Sequence, residues 1–136
     1  MKNQTKKILV IEDESALLNA LTTKFRNEGF STLEAQNGQE GLDLALSAHP
    51  DIILLDIIMP KMDGMTMLKK LREDDWGREV PVLILTNLSD KQKVAEALEQ
   101  NTFDYLVKSN WTLDDVVAKV REKIGNAETA KKLDSN

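Results

Sequence analysis

Asp56 closes the apolar run Ile53-Leu54-Leu55 and is followed by Ile57-Ile58-Met59-Pro60 and then Met62-Asp63-Gly64. A short continuous apolar run is the pattern of a strand buried on both faces. Met-Pro and Asp-Gly mark a loop beyond it. The carboxylate therefore stands where a central strand leaves the core, at the rim where open parallel sheets bind ligands. Alone, Asp56 reads equally well as a cap on the segment that follows. Three other apolar runs also end on reactive groups: 8–11 on Glu12-Asp13-Glu14, 82–85 on Thr86, and 104–107 on Lys108. Taken singly these are acids at a helix N-terminus, a β-forming threonine and a snorkelling lysine. Brought to one rim, they form a chemical set. Clustered carboxylates repel, by about 4 kcal/mol per pair at ~4 Å and an effective dielectric of about 20, so they need a cation or shifted pKa values. Oxygen donors without His or Cys select a hard divalent ion, and Mg²⁺ in particular keeps waters and completes its shell with phosphate. A carboxylate nucleophile, a metal, an ammonium and a hydroxyl are the requirements of an aspartyl phosphate.

The elements that must position this set alternate strictly. Strands are expected over 8–11, 30–35, 51 or 52–56, 82–85 and 104–107. Helices are expected over 15–28, 37–47, from Gly64 onward, from Ser89-Asp90 to about 100, and 112–125. Leu17, Leu21 and Phe25 supply the first helix's apolar stripe; Leu42, Ala45 and Leu46 supply the second's. Gly29 and Gly125 are read as C-caps, and Asn101 as a left-handed cap. Asn37 with Glu40, Ser89 with Gln92, and Thr112 with Asp115 have the form of capping boxes, and Trp111 is placed to staple against Val116. Pro81 is expected at the first position of the fourth strand. The 30–35 strand, less apolar than the others, is expected at a sheet edge. Five strand–helix units with apolar strands imply an α/β fold, a doubly wound five-stranded parallel sheet of (βα)5 type. The order 2-1-3-4-5 is that of flavodoxin-like folds, and it makes the first and third strands neighbours, with Asp13 and Asp56 a few ångströms apart.

With 136 residues, 41% hydrophobic and 30% charged, the chain suits one domain, expected over 1–125, with 126–136 a polar C-terminal tail. A net charge of −5 argues against nucleic acid as a direct partner. The absence of cysteine excludes thiol chemistry and fits a cytoplasmic location. No apolar stretch approaches the ~20 residues of a membrane span, and the run after the basic N-terminus is too short for a signal peptide. His49, the only histidine, sits before Pro50 as a solvent-facing loop residue, so a phosphoryl donor must be another molecule. Leu18 reads as a core-edge residue or a docking contact. Met59, Met62, Met65 and Met67 read as core filling.

The motifs ILVIEDE, ILLDIIMPKMDG, PVLILTN and FDYLVKS, in this order and at these separations, closely resemble the receiver domain of bacterial two-component response regulators over residues 7–125. The resemblance implies that Asp56 is the phosphoacceptor. It implies a Mg²⁺ held by Asp13, Asp56 and the backbone carbonyl of Ile58, with Glu12 acting through water. Lys108 would pair with the phosphoryl group, Thr86 would move to bind it, and Tyr105 would be the aromatic switch behind Thr86. The phosphoryl donor would be a histidine kinase or histidine phosphotransfer protein. A downstream protein would read the face made by the fourth helix, fifth strand and fifth helix.

Three positions depart from the family pattern. Ser109 stands where proline often follows the lysine in a cis peptide; a cis bond before a non-proline residue costs ~2.5–4 kcal/mol, so a trans bond is expected. Asn87 replaces a smaller residue, and Asn101 a glycine. The chain is thus expected to act as a stand-alone phosphorylation-controlled switch, catalysing only its own phosphoryl acceptance and loss. Two other readings stand beside it: a Mg²⁺-dependent aspartyl-phosphate phosphotransferase or phosphatase on outside substrates, and a receiver-like interaction module that is not phosphorylated. The first lacks a general-acid carboxylate two residues past Asp56, where Ile58 stands.

Overall fold

The computed structural model describes residues 5–56, 62–86, 104–107 and 112–134, with the backbone alone at 86, 104–107 and 126–134. Four strands, β1 (Lys7–Ile11), β2 (Ser31–Ala35), β3 (Ile52–Asp56) and β4 (Val82–Thr86), form a parallel sheet in the order β2-β1-β3-β4. The backbone of Asp104–Val107 runs parallel to β4, with Ile84 opposite Tyr105 and Thr86 opposite Val107. The helices are α1 (Ser15–Asn27), α2 (Gly38–Ala48), α3 (Gly64–Arg72) and a C-terminal helix, Leu113–Asp134. Strand β2 is at the edge, as its exposed Ser31 and Glu34 require.

Successive side chains of a strand point to opposite faces, and this alternation divides the core in two. Leu9, Ile11, Ile53, Leu55, Val82 and Ile84 face α2 and α3, where Leu42, Ala45, Met67, Leu68 and Leu71 meet them. Ile8, Val10, Ile52, Leu54, Leu83 and Leu85 face α1 and the C-terminal helix, against Leu21, Phe25, Val116, Val120 and Ile124. Every residue of β3 is buried. The sheet is therefore covered on both sides, and its loops at the C-terminal ends of the strands are left to carry chemistry.

Local signals fix where the helices begin and end. Glu28 and Gly29 close α1 in a Schellman turn: Gly29 has φ +96°, its N–H donates to the Arg26 carbonyl, and the Phe30 N–H donates to the Phe25 carbonyl. The accompanying apolar contact is an edge-on pair of Phe25 and Phe30, centroids 5.1 Å apart. Asn37 Oδ1 accepts from the Glu40 N–H at 3.0 Å, while Glu40 Oε1 accepts from the Gln36 N–H, one residue before the cap, at 3.2 Å. Thr112 and Asp115 form a reciprocal capping box at 3.1 and 2.9 Å. His49 ends α2 in a left-handed conformation (φ 49°) and stacks on Trp76 with ring centroids 4.2 Å apart.

Several expectations are corrected. Gly125 does not end the last helix, which continues to Asp134. A single interior glycine costs only about 1 kcal/mol, and Ala127, Ala130 and the lysines beyond it favour helix. Leu17 packs partly buried against the core, as the stripe requires, while Leu18, expected at the core edge or in a docking contact, is buried in that core. Leu46 is 37% exposed, outside the α2 stripe that Gly38, Gly41, Leu42 and Ala45 make. Pro81 lies just before β4, where its carbonyl accepts from the Ile53 N–H. Among the described residues no helix is long and apolar enough to cross a membrane.

Candidate functional site

Strand β1 ends at Ile11, and the next residue, Glu12, still donates its N–H to the Ala35 carbonyl of β2 at 3.0 Å. This last rung carries Glu12 to the rim with its side chain buried, only 1% exposed. Asp13 follows in the turn and is exposed. The Glu14 N–H, one of the donors that a helix start leaves without an intrahelical partner, donates to Glu12 Oε2 at 3.0 Å. On the neighbouring strand Asp56 is the last residue of β3, opposite Leu85 of β4, and 7% exposed. The pairing of Ile11 with Leu55 places the ends of β1 and β3 side by side.

One carboxylate oxygen from each of Glu12, Asp13 and Asp56 lies within 4.8 Å of the other two. At that spacing like charges repel by about 3–4 kcal/mol per pair at an effective dielectric of about 20. Two of the three groups are buried, where water screens little. The donors are all oxygen and lie close enough for one ion to sit among them, and a hard divalent cation would reverse the sign of the local energy. The residues present fit such an ion.

The second βα loop supplies no carboxylate but borders the cluster. Besides the Ala35–Glu12 bond, Gln36 Nε2 donates to Ser15 Oγ at 3.2 Å at the start of α1. The Gly38 N–H donates to the Met62 carbonyl, one residue before the cap of α3, at 2.9 Å. Asp63 Oδ1 then caps α3 by accepting from the Thr66 N–H at 2.8 Å.

Of the residues singled out in the sequence, Glu12, Asp13 and Asp56 are brought together. The Thr86 backbone ends β4 on the same rim, and the Tyr105 backbone lies in the strand beside it. Ile58, Met59, Asn87, Asn101, Lys108, Ser109 and Trp111, and with them the trans-peptide, left-handed-cap and staple expectations and the helix from Ser89-Asp90, lie outside the described residues. Sequence reasoning missed the Glu14 amide and Gly38. A backbone donor has no signature in residue type. Asn37-Gly38 gave a visible signal, but it was read only as a helix start.

Residues 8–121 match the family described as response regulator receiver domain. The chain is 38% identical over 102 residues to the regulatory protein AtoC of Escherichia coli, covering 75% of this chain and 22% of that protein. It is 33% identical over 115 residues to the transcriptional regulator RpaA of Synechocystis, covering 85% of this chain and 47% of that one. It thus spans at most about half of these relatives. Among solved structures, the Francisella response regulator 1452 receiver domain superposes with a TM-score of 0.80 at 31% identity, over 90% of this chain and 98% of that one. The receiver domain of the Pseudomonas aeruginosa sensor histidine kinase PA1611, with magnesium in its active-site cleft, gives 0.81 at 24% identity, over 90% of this chain and 99% of that one.

Proposed function

The chain belongs to the response regulator receiver family of two-component signalling, and on that premise we propose that Asp56 is the residue that accepts the phosphoryl group. Receiver domains are phosphoryl-accepting switch modules that interact with histidine kinases. The observation that carries the assignment is the convergence of Glu12, Asp13 and Asp56 at the ends of two adjoining strands. Of the three, Asp56 is the last residue of the fully buried central strand β3.

An Asp56 carboxylate oxygen attacks the phosphorus of a phosphohistidine or a small acyl phosphate. The new O–P bond forms as the P–N or P–O bond breaks, and the leaving group keeps the electron pair. Burial holds the nucleophile with little freedom and excludes much of the water that would compete for it. Asp13, Asp56 and the Ile58 carbonyl, with Glu12 through water, would hold Mg²⁺, which supplies positive charge to the phosphoryl oxygens. Lys108 adds an ammonium to those oxygens, Thr86 a hydroxyl hydrogen bond, and Tyr105 turns inward behind Thr86. The fold reading is the complete five-stranded (βα)5 sheet of order 2-1-3-4-5, with the domain over 1–125 and residues 126–136 a polar extension. The site of action is the cytoplasm, the donor is a histidine kinase or histidine phosphotransfer protein, and a protein target reads the face of the fourth helix, fifth strand and fifth helix. Phosphate shifts a two-state equilibrium because it binds one state better; a change from 1:99 to 99:1 needs about 5.5 kcal/mol of preference.

Mass spectrometry after incubation with acetyl phosphate and Mg²⁺ tests the assignment. One phosphoryl adduct, absent in Asp56→Asn, is the expected result. An adduct that persists in Asp56→Asn, or rapid turnover of unrelated phosphomonoesters, would overturn it.

A further inference from the structure

We propose that Asn37–Gly38 is a latent site of spontaneous covalent modification, deamidation with backbone isomerisation, which the start of α2 holds closed and local opening of its first turn exposes. Of the asparagines only Asn37 precedes glycine. In such a pair the glycine nitrogen, its proton taken by hydroxide, attacks the asparagine Cγ. The N–Cγ bond forms, the Cγ–Nδ2 bond breaks, and Nδ2 leaves as ammonia after gaining a proton from water. Water then opens the succinimide ring. Cleavage on the side-chain side gives aspartate; cleavage on the main-chain side gives isoaspartate, in which the chain runs through Cγ. Glycine favours the attack because no Cβ crowds the nitrogen or restricts its backbone.

In the folded chain every reacting group is engaged. The Gly38 N–H, the nucleophile, donates to the Met62 carbonyl at 2.9 Å. Asn37 is buried; its Oδ1 accepts from the Glu40 N–H at 3.0 Å, and its Nδ2, the leaving group, donates to Glu40 Oε2 at 3.4 Å. The attacking N–H must leave Met62, and the departing amide must leave Glu40, before the ring can close. The glycine itself is imposed by space, since a Cβ at position 38 would meet the Met62 carbonyl oxygen. The missing Cβ that lets α2 approach Met62 thus leaves the nitrogen open to attack once that contact breaks.

Isomerisation cannot be undone by reclosing. It adds a methylene to the main chain and turns the Asn37 carbonyl, which accepts from the Gly41 N–H at 3.0 Å, into a pendant carboxylate. The side-chain cap on the Glu40 N–H goes with it. Each opening of this turn therefore carries a chance of irreversible change, and the modified fraction records how often the turn has opened. The site is independent of the phosphoacceptor assignment.

Incubation of the whole chain in mildly alkaline buffer, native and in concentrated urea, tests this. Peptide mapping by mass spectrometry reads conversion at residue 37, and an isoaspartyl-methylating enzyme identifies the isomer. Native conversion should be at least about tenfold slower than conversion in urea, because opening limits it. Glu40→Ala removes the acceptor for Asn37 Nδ2 and for the Gln36 N–H. It should raise the native rate, relative to its own rate in urea, about fivefold. Val120→Ala cuts into the apolar cluster on the other face of the sheet. It should lower Tm at least as far as Glu40→Ala does, yet leave that ratio within about twofold of the unsubstituted chain. Native conversion as fast as in urea, a ratio unmoved by Glu40→Ala, or equal acceleration by Val120→Ala overturns the proposal; the last would assign the reaction to the globally unfolded chain.

Discussion

Glu14 donates its backbone N–H to Oε2 of Glu12 across 3.0 Å, so the residue that opens α1 also orients the most deeply buried carboxylate of the cluster. Glu12→Gln keeps an oxygen for that N–H but removes the charge. Mg²⁺ affinity, read by calorimetry, should fall about tenfold, equivalent to about 1.4 kcal/mol, with little change in the amide shift of Glu14. A displaced Glu14 resonance would instead mean that the bond had been lost.

Asp56→Asn removes one of three mutually repelling carboxylates and is nearly isosteric. Without divalent cation the variant should melt several degrees higher than the unsubstituted chain, as about 1 kcal/mol raises Tm by roughly 3–5 °C in a domain of this size. Saturating Mg²⁺ should narrow or reverse the difference, because the native cluster then gains more from the ion. A variant that melts lower under both conditions would show that the repulsion is not felt.

The cap of α2 gives a prediction of stability alone. Asn37→Ala deletes the acceptor for the Glu40 N–H and should cost about 1 kcal/mol, seen as a lower urea midpoint at unchanged slope.

How far these features were legible in the sequence depends on how local their cause is. Asp56 was readable because an apolar run stops on a charge. Its proximity to Asp13 followed from strand alternation and needed no distant information. The caps at Asn37 and Thr112 were readable because each lies within four residues of its partner. Leu17 was readable as core-facing, but the deeper burial of Leu18 was not, because a helical stripe is wide enough to admit both and the spacing does not rank them. Gly125 was misread because its flanking helix formers outweigh one glycine. The Gly38–Met62 contact joins the start of α2 to a residue distant in the chain, and only the folded sheet brings them together.

The clasp between α1 and the C-terminal helix carries a pH dependence. Lys24 Nζ lies 2.6 Å from Asp114 and 3.3 Å from Glu28, and Arg121 donates to Glu28 at 3.0 Å. The Asp114 bond, with help from Glu28, raises the Lys24 pKa above the usual 10.5. A pKa raised by folding gives stability that is complete below the unfolded value and is lost as pH climbs through the folded one. The difference in Tm between the unsubstituted chain and Asp114→Asn should therefore be level through neutral pH and shrink above about 10.5. A difference that vanishes already at pH 9 would exclude this bridge as its source.

The 22 residues of the C-terminal helix extend about 33 Å at a rise of ~1.5 Å each, roughly twice the reach of a five-residue strand at ~3.3 Å per residue. Among the described residues its buried apolar contacts on the sheet run from Val116 to Ile124, and the helical backbone continues to Asp134. Such a rod behaves as a pointer. A tilt of about 5° at its root, where Asp114 grips Lys24, would sweep the far end through about 3 Å over that length. The length of the helix thus converts a small rotation at the Lys24–Asp114 bridge into a larger displacement at its far end.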